Sequence, residues 1–209
     1  MIKKTVASLS FASLLVLGAL TRAPLQAAEA QAALINGTPL PFYVYHGFRS
    51  PDNHYAPSGW MGDYGDLGYN DHYKQRPADT KTIIRVTYSA KGSRDAGWAG
   101  IYWQNPANNW GNREGGFNLN GAKNLVFMAR GEKGDESVSE FKVGGIEGNF
   151  RDSGSAAIGP LTLTKKWEKY TIPLDGQELS SIAGGFCLTL SRQDNPDGAV
   201  VYLDNIRFE

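Results

Sequence analysis

From Phe42 to Phe208 the chain is a succession of short runs of β-branched and aromatic residues, separated by breaks rich in Gly, Pro, Asn and Asp. Residues 41–48 (PFYVYHGF), 82–88 (TIIRVTY), 123–130 (KNLVFMAR), 168–174 (EKYTIPL), 185–191 (GFCLTLS) and Ala199–Phe208 (AVVYLDNIRF) all have this composition. Such residues suit a pleated, half-buried strand. With the shorter runs at 98–103, 137–143 and 160–163 they make about nine or ten strands, at the spacing of a β-sandwich. The expectation is all-β, a jelly roll of two packed antiparallel sheets. The turn at 131–135 (GEKGD) predicts a hairpin joining 123–130 to 137–143. Residues 177–182 give the only hint of a helical turn, and 50–76 read as a long irregular connection.

Within this pattern residues 97–117 (GWAGIYWQNPANNWGNREGGF) are unusual, because they hold three of the five Trp residues among clustered amides. On a strand alternate side chains share a face. Trp98, Gly100, Tyr102 and Gln104 therefore point one way, and Ala99, Ile101 and Trp103 the other. The second set reads as core. The first sets two rings and an amide beside a glycine, which suits an open binding face. Trp110 and Trp60 lie in Gly-rich polar stretches and are expected to be exposed. Trp103 and Trp167 are expected in the core. Asn108 and Asn109 can read hydroxyls with donor and acceptor together, or shape a turn. Arg130 can donate a forked pair of bonds to a ligand, or pair with Glu132, Glu136 or Glu140. Flat apolar rings beside fixed amides fit a ligand that is apolar on its faces and hydroxylated at its edges, such as a sugar ring.

The N-terminus has the pattern of a cleavable secretory leader: Lys3 and Lys4, an almost uncharged stretch at 5–20, then small residues with Ala28-Glu29-Ala30 at the cut. A membrane anchor fits less well, since Ser8, Ser10 and Ser13 interrupt a short apolar core. The expected division is a signal peptide at 1–30 and one domain at 31–209, exported to the periplasm or beyond. Removing Lys3, Lys4, Arg22 and Glu29 takes the 21 basic and 21 acidic residues to 18 and 20, a balance of −2. That balance gives no electrostatic ground for binding nucleic acid or an anionic membrane. One cysteine, Cys187, excludes an internal disulfide and sits in an apolar run as a small hydrophobe.

The strand WEKYTIPL at 167–174, the segment IAGGF at 182–186 and the final YLDNI at 202–206 resemble the galactose-binding-like β-sandwich of carbohydrate-binding modules. The strand LVFMARG at 125–131 is similar to another recurring strand of that group. The resemblance spans about residues 120–208. It implies a carbohydrate ligand, and a structural Ca2+ to which Asp204 of the last strand would contribute.

Glycoside hydrolysis needs two carboxyls about 5–9.5 Å apart. The nearest candidates in the chain are Asp63 with Asp66 and Glu136 with Glu140. His46, His54, Tyr55 and His72 could supply the base and acid of a lyase. No metalloprotease helix, nucleophile elbow, P-loop or dinucleotide fingerprint is written in the chain. The leading reading is a non-catalytic exported glycan-binding module with a Kd between about 1 mM and 1 μM. The alternatives are a small polysaccharide lyase or glycoside hydrolase on the same fold, and an envelope adhesion or assembly protein.

Overall fold

The structure is a computed structural model, and it describes residues 34–35 and 38–209. The leader expected at 1–30 lies outside the described residues. In chain order the strands are β1 (Leu34–Ile35), β2 (Thr38–Pro39), β3 (Phe42–Tyr45), β4 (Ala56–Gly62), β5 (Leu67–Tyr73), β6 (Ile83–Tyr88), β7 (Trp98–Gln104) and β8 (Asn124–Gly131). They continue with β9 (Ser137–Val138), β10 (Glu140–Gly144), β11 (Ser155–Ile158), β12 (Leu161–Thr162), β13 (Glu168–Pro173), β14 (Gly184–Ser191) and β15 (Ala199–Phe208). Among the described residues no helix is long and apolar enough to cross a membrane.

One sheet has the order β11-β10-β14-β7-β4; the other runs β13-β8-β15-β6-β5, with β3 added against β15. The pairings within both sheets are antiparallel. The expected β-sandwich is therefore the fold observed. Its core forms because the strands alternate. Ile101 and Trp103 of β7 and Phe186 and Leu188 of β14 meet Leu125 and Phe127 of β8 and Val201 and Leu203 of β15. Phe127 is the keystone between the sheets, with ring centroids 4.6 Å from Phe141 and 5.1 Å from Phe186. All three rings are fully buried.

Four expectations about elements need correction. Residues 50–76 hold two strands, β4 and β5, whose Gly, Asn and Asp content hides them from propensity; pairing with β7 and β6 overrides it. β8 does not form a hairpin with the following strand: it pairs with β13 and β15, while β10 crosses to the other sheet. The turn at 131–135 is thus a corner between sheets. Residues 177–182 contain no helical turn; Ile182 instead bridges Phe117, and the helical turn present is the 3-10 turn Tyr64–Asp66. Trp167 is half-buried on an outer surface and not in the core.

Two buried carboxylates shape the loops. Asp63 accepts main-chain N–H bonds from Arg94 (2.7 Å), Ala96 (3.0 Å) and Gly97 (2.8 Å), fixing the approach to β7. Glu136 accepts from Glu132, Lys133, Gly134 and Asp135, holding the inter-sheet corner. Burial alone would raise both pKa values. The main-chain donors outweigh it and lower them.

Two measurements check this account. Phe127→Ala should cost about 3–5 kcal/mol in urea unfolding, because it opens a void between the sheets. Asp63 and Glu136 have depressed pKa values, so their contribution is complete above their ordinary values of 3.8 and 4.5 and is lost as pH falls through the folded ones. Glu136→Gln and Asp63→Asn should each be less stable at neutral pH, and each should flatten the fall of stability below pH 4.5. An unchanged acid slope would show that these carboxylates do not govern it.

Candidate functional site

The site is built on the outer face of the five-stranded sheet. Residues opposite one another in an antiparallel ladder share a face. Tyr102 lies opposite Cys187, Gly100 opposite Thr189 and Met61, and Trp98 opposite Ser191. Glu140 and Lys142 continue the same face across β10, opposite Thr189 and Cys187. Gly100 lies at the middle. A Cβ there would come within 2.9 Å of the Met61 Cε and Thr189 Cγ2 atoms, so the missing side chain lets two methyl groups close over β7 into a level floor.

Two indoles stand at the ends of this floor. Trp98 is 40% and Trp110 42% exposed. Four residues of strand separate Trp98 from Tyr102, about 14 Å at the usual rise. Trp110 meets Tyr102 edge-on, with centroids 6.1 Å apart. Tyr102 is buried, and its hydroxyl donates to the Gly144 carbonyl (2.9 Å). Burial pushes its pKa well up, so it stays a neutral support for the Trp110 ring. Tyr102, Ile146, Ala183 and Cys187 form a small apolar cluster beneath. Burial likewise raises the pKa of Cys187 and leaves it an unreactive thiol.

Residues 145–154 wall the Trp110 end. Buried Asp152 accepts N–H bonds from Ile146 (2.9 Å) and Ala183, tying these residues to the mouth of β14. Its desolvation outweighs those donors and raises its pKa. The Phe150 N–H donates to the Gly111 carbonyl (2.9 Å), placing a further exposed ring in the turn beside Trp110. Phe150 escapes sequence reading because it stands alone between Asn149 and Arg151, with no periodic neighbour to mark it.

The other expected site residues divide. Gln104 and Asn109 are fully buried. The Gln104 amide donates to the Asn109 carbonyl (2.9 Å), and its oxygen accepts from Ser58 (3.0 Å). The Asn109 side chain donates to the Arg113 carbonyl (3.0 Å) and accepts from Gly111 (3.1 Å). Both amides are spent holding the turn that presents Trp110, which corrects the expectation that they face a ligand. Asn108 is exposed with φ 60°, a left-handed turn position, and its N–H donates to Ser58 (2.9 Å).

Trp60 is displaced from the site. It lies on β4 opposite Ile101, on the core-facing side at the sheet edge, and meets Tyr69 edge-on at 6.1 Å. Arg130 is on the other sheet altogether. Its guanidinium sits 3.9 Å from the Tyr202 ring centroid and 5.4 Å from that of Trp167, so it covers aromatic surface there, and it makes none of the three ion pairs considered. Of the four carboxylates considered for catalysis three are absorbed, Asp63 and Glu136 as described and Asp66 by the Gly92 N–H (2.7 Å), which leaves half-buried Glu140 without the second carboxylate of its pair. His54 stacks on Phe42 at 3.8 Å. Asp204 brings a single carboxylate, with Lys81 and His46 as neighbours. Among the described residues no group of three or more His, Cys, Asp or Glu side chains could hold a metal ion.

No protein-family model matches the chain, and no curated protein matches it in sequence. Solved structures do. The family 30 carbohydrate-binding module of a cellulosomal cellulase of Clostridium thermocellum superposes with a TM-score of 0.52 at 15% identity, over 81% of this chain and 97% of that one. Another crystal structure of a family 30 module gives 0.50 at 15% identity, over 79% and 96%. The chain shares the β-sandwich fold of these two modules. The likeness runs nearly end to end in those two modules and, at 15% identity, is a likeness of fold.

Two substitutions separate support from exposure. Gln104→Ala should cost about 1–3 kcal/mol in thermal or urea unfolding by leaving buried partners unsatisfied. Trp98→Ala, on an exposed ring, should stay within about 0.5 kcal/mol of the parent.

Proposed function

We propose that the protein binds a linear glycan chain laid across the outer face of the five-stranded sheet, and that it does so without catalysis. The observation that carries this reading is the pair of exposed indoles, Trp98 and Trp110, at the two ends of a level floor made by Met61, Gly100 and Thr189. Sugar faces stack on such rings, and Glu140, Lys142 and Thr189 supply hydroxyl partners at the margin. Exposed rings at both ends of the floor suit the middle of a chain better than its terminus. That the same architecture occurs in modules attached to a cellulosomal cellulase supports a β-linked glucan as the first ligand to try. The commitment of Asp63, Asp66 and Glu136 to main-chain bonds supports binding over hydrolysis. With the leader-like residues 1–30, the reading places this binding outside the cytoplasm.

Affinity electrophoresis in gels containing soluble cellulose derivatives, mixed-linkage β-glucan or xylan tests it. The parent should be retarded by at least one of them. Trp98→Ala or Trp110→Ala should weaken retention about tenfold or more, equivalent to about 1.4 kcal/mol, with the melting temperature little changed. Undiminished retention by the double variant would refute the platform. Release of new reducing ends or unsaturated products by the parent would refute the non-catalytic reading.

A further inference from the structure

The opposite face of the sandwich carries a second feature that the platform does not use. A cavity of about 530 Å3 opens among the residues after β3 (His46, Phe48, Ser50), the lead into β6 (Thr80, Lys81, Thr82) and the β15 residues Asp204 and Asn205. It continues past Lys81 and Asp204 into a shallower recess of about 330 Å3 toward Arg76 and Asp79. Its volume lies in the range of small-molecule sites. The strand β15 is irregular at this point: its register against β8 shifts between Asp204 and Arg207, and Asn205 adopts φ 53°. A bulge of this kind re-aims a side chain and recurs beside binding sites.

The lining is chemically specific. Asp204 is half-buried, and among the described residues no side chain hydrogen-bonds or ion-pairs with its carboxylate. Burial raises its pKa, and the Asn205 N–H, Lys81 and His46 offset only part of that. His46 stacks on Tyr43 at 4.1 Å and is anchored by Asp52 (Nδ1 to Oδ2, 3.2 Å). Phe48 is 42% exposed at the rim. The carboxylate takes a main-chain N–H from Asn205 and no side-chain donor, so part of its acceptor capacity is desolvated and unfilled, which is costly unless a donor arrives, and adjacent hydroxyls on one small ring would supply two donors to it. Lys81 could then donate to a third oxygen while an apolar ring face lies on the aromatic rim.

We propose that this cavity is a second saccharide site, one that encloses a single or terminal sugar residue instead of the interior of a chain. Asp204 accepts from two of the sugar's hydroxyls, Lys81 donates to another, and the rim formed by Tyr43, His46 and Phe48 meets the ring face. The site lies on the sheet opposite the glycan platform and does not depend on it.

The test is a titration of the isotope-labelled protein with the methyl glycosides of glucose, galactose, mannose and N-acetylglucosamine at millimolar concentration, followed by amide NMR. At least one should shift the Lys81, Asp204 and Asn205 resonances, in the parent and equally in the Trp98→Ala/Trp110→Ala double variant. Asp204→Asn should weaken that response about tenfold or more, leaving retention by polysaccharide gels intact. Should Asp204→Asn misfold, Lys81→Met, at an exposed position, reads the same contact. The proposal is overturned if none of the four sugars moves those resonances, if the response disappears with the two Trp residues, or if it survives both Asp204→Asn and Lys81→Met unchanged. Loss of polysaccharide retention alone would count against the platform and leave this site standing.

Discussion

Strand β7 has to satisfy two environments, and the rest of the molecule is arranged around how it does so. Its inward residues, Ala99, Ile101 and Trp103, are sealed into the inter-sheet core. Its outward residues run from exposed Trp98 through a bare Gly100 to buried Tyr102 and Gln104. The strand therefore changes character along its outer face, open at one end and roofed at the other. The roof is made by the Trp110 turn and by residues 145–154, and both are held by polar groups on or beside β7: Tyr102 to Gly144, Gln104 to Asn109. Without the inward alternation the strand has no place in the sandwich. Without the outward polar bonds the Trp110 ring has no fixed position, and a ring that must be ordered on binding loses part of what it gains.

The same economy explains why several carboxylates are buried in this sandwich. Long connections rich in Gly expose many main-chain donors, and these have to find acceptors when the loop is folded back on a sheet. Asp63, Glu136 and Asp152 each collect several of them. In the first two the donors win over desolvation and in the third they do not. Gly131 shows how tightly such a loop closes: a Cβ there would collide with the Glu136 carboxylate. An acidic side chain read from sequence as free to do chemistry is, in this architecture, more useful as a point of attachment.

What was legible in the sequence follows from which signals are local. Alternation in 98–103, 125–130 and 199–208 identified β7, β8 and β15 and the inward set of β7, because burial on one face writes a period of two directly into the chain. The sandwich followed from their number. Which sheet each strand joins is a non-local property, and there the reading failed: β10 looked like the partner of β8 and Arg130 looked like a neighbour of Trp98, although each pair is divided between sheets. β4 and β5 were hidden because edge strands need fewer apolar residues than central ones. Gln104 and Asn109 were expected to meet a ligand, and instead they fix the loop, Asn109 in the turn-forming role that was its other reading. Trp98 and Tyr102 share the outer face of β7, Trp110 meets Tyr102 edge-on, and Phe150 is tied to the Trp110 turn through a main-chain bond that no residue pattern reveals.

The two faces of the sandwich differ in how a sugar could be recognised, and the difference has a physical origin. On the platform the residues are rings, methyl groups and a few marginal polar groups, so contact area sets the affinity and several successive sugars must contribute. In the cavity beside Asp204 the β15 bulge presents a half-buried carboxylate, with Lys81 nearby and no side-chain partner among the described residues. Recognition there would come from a few directional bonds, where an epimer lacking the correct hydroxyl leaves the carboxylate unsatisfied, the situation in which discrimination between close analogues is greatest. Because the sites sit on opposite sheets, one glycan chain would have to bend round the sandwich to fill both, and two chains would not. Paired weak sites gain from linkage only where the geometry allows joint occupation. For a rigid sandwich that favours bridging two neighbouring chains over tighter holding of one.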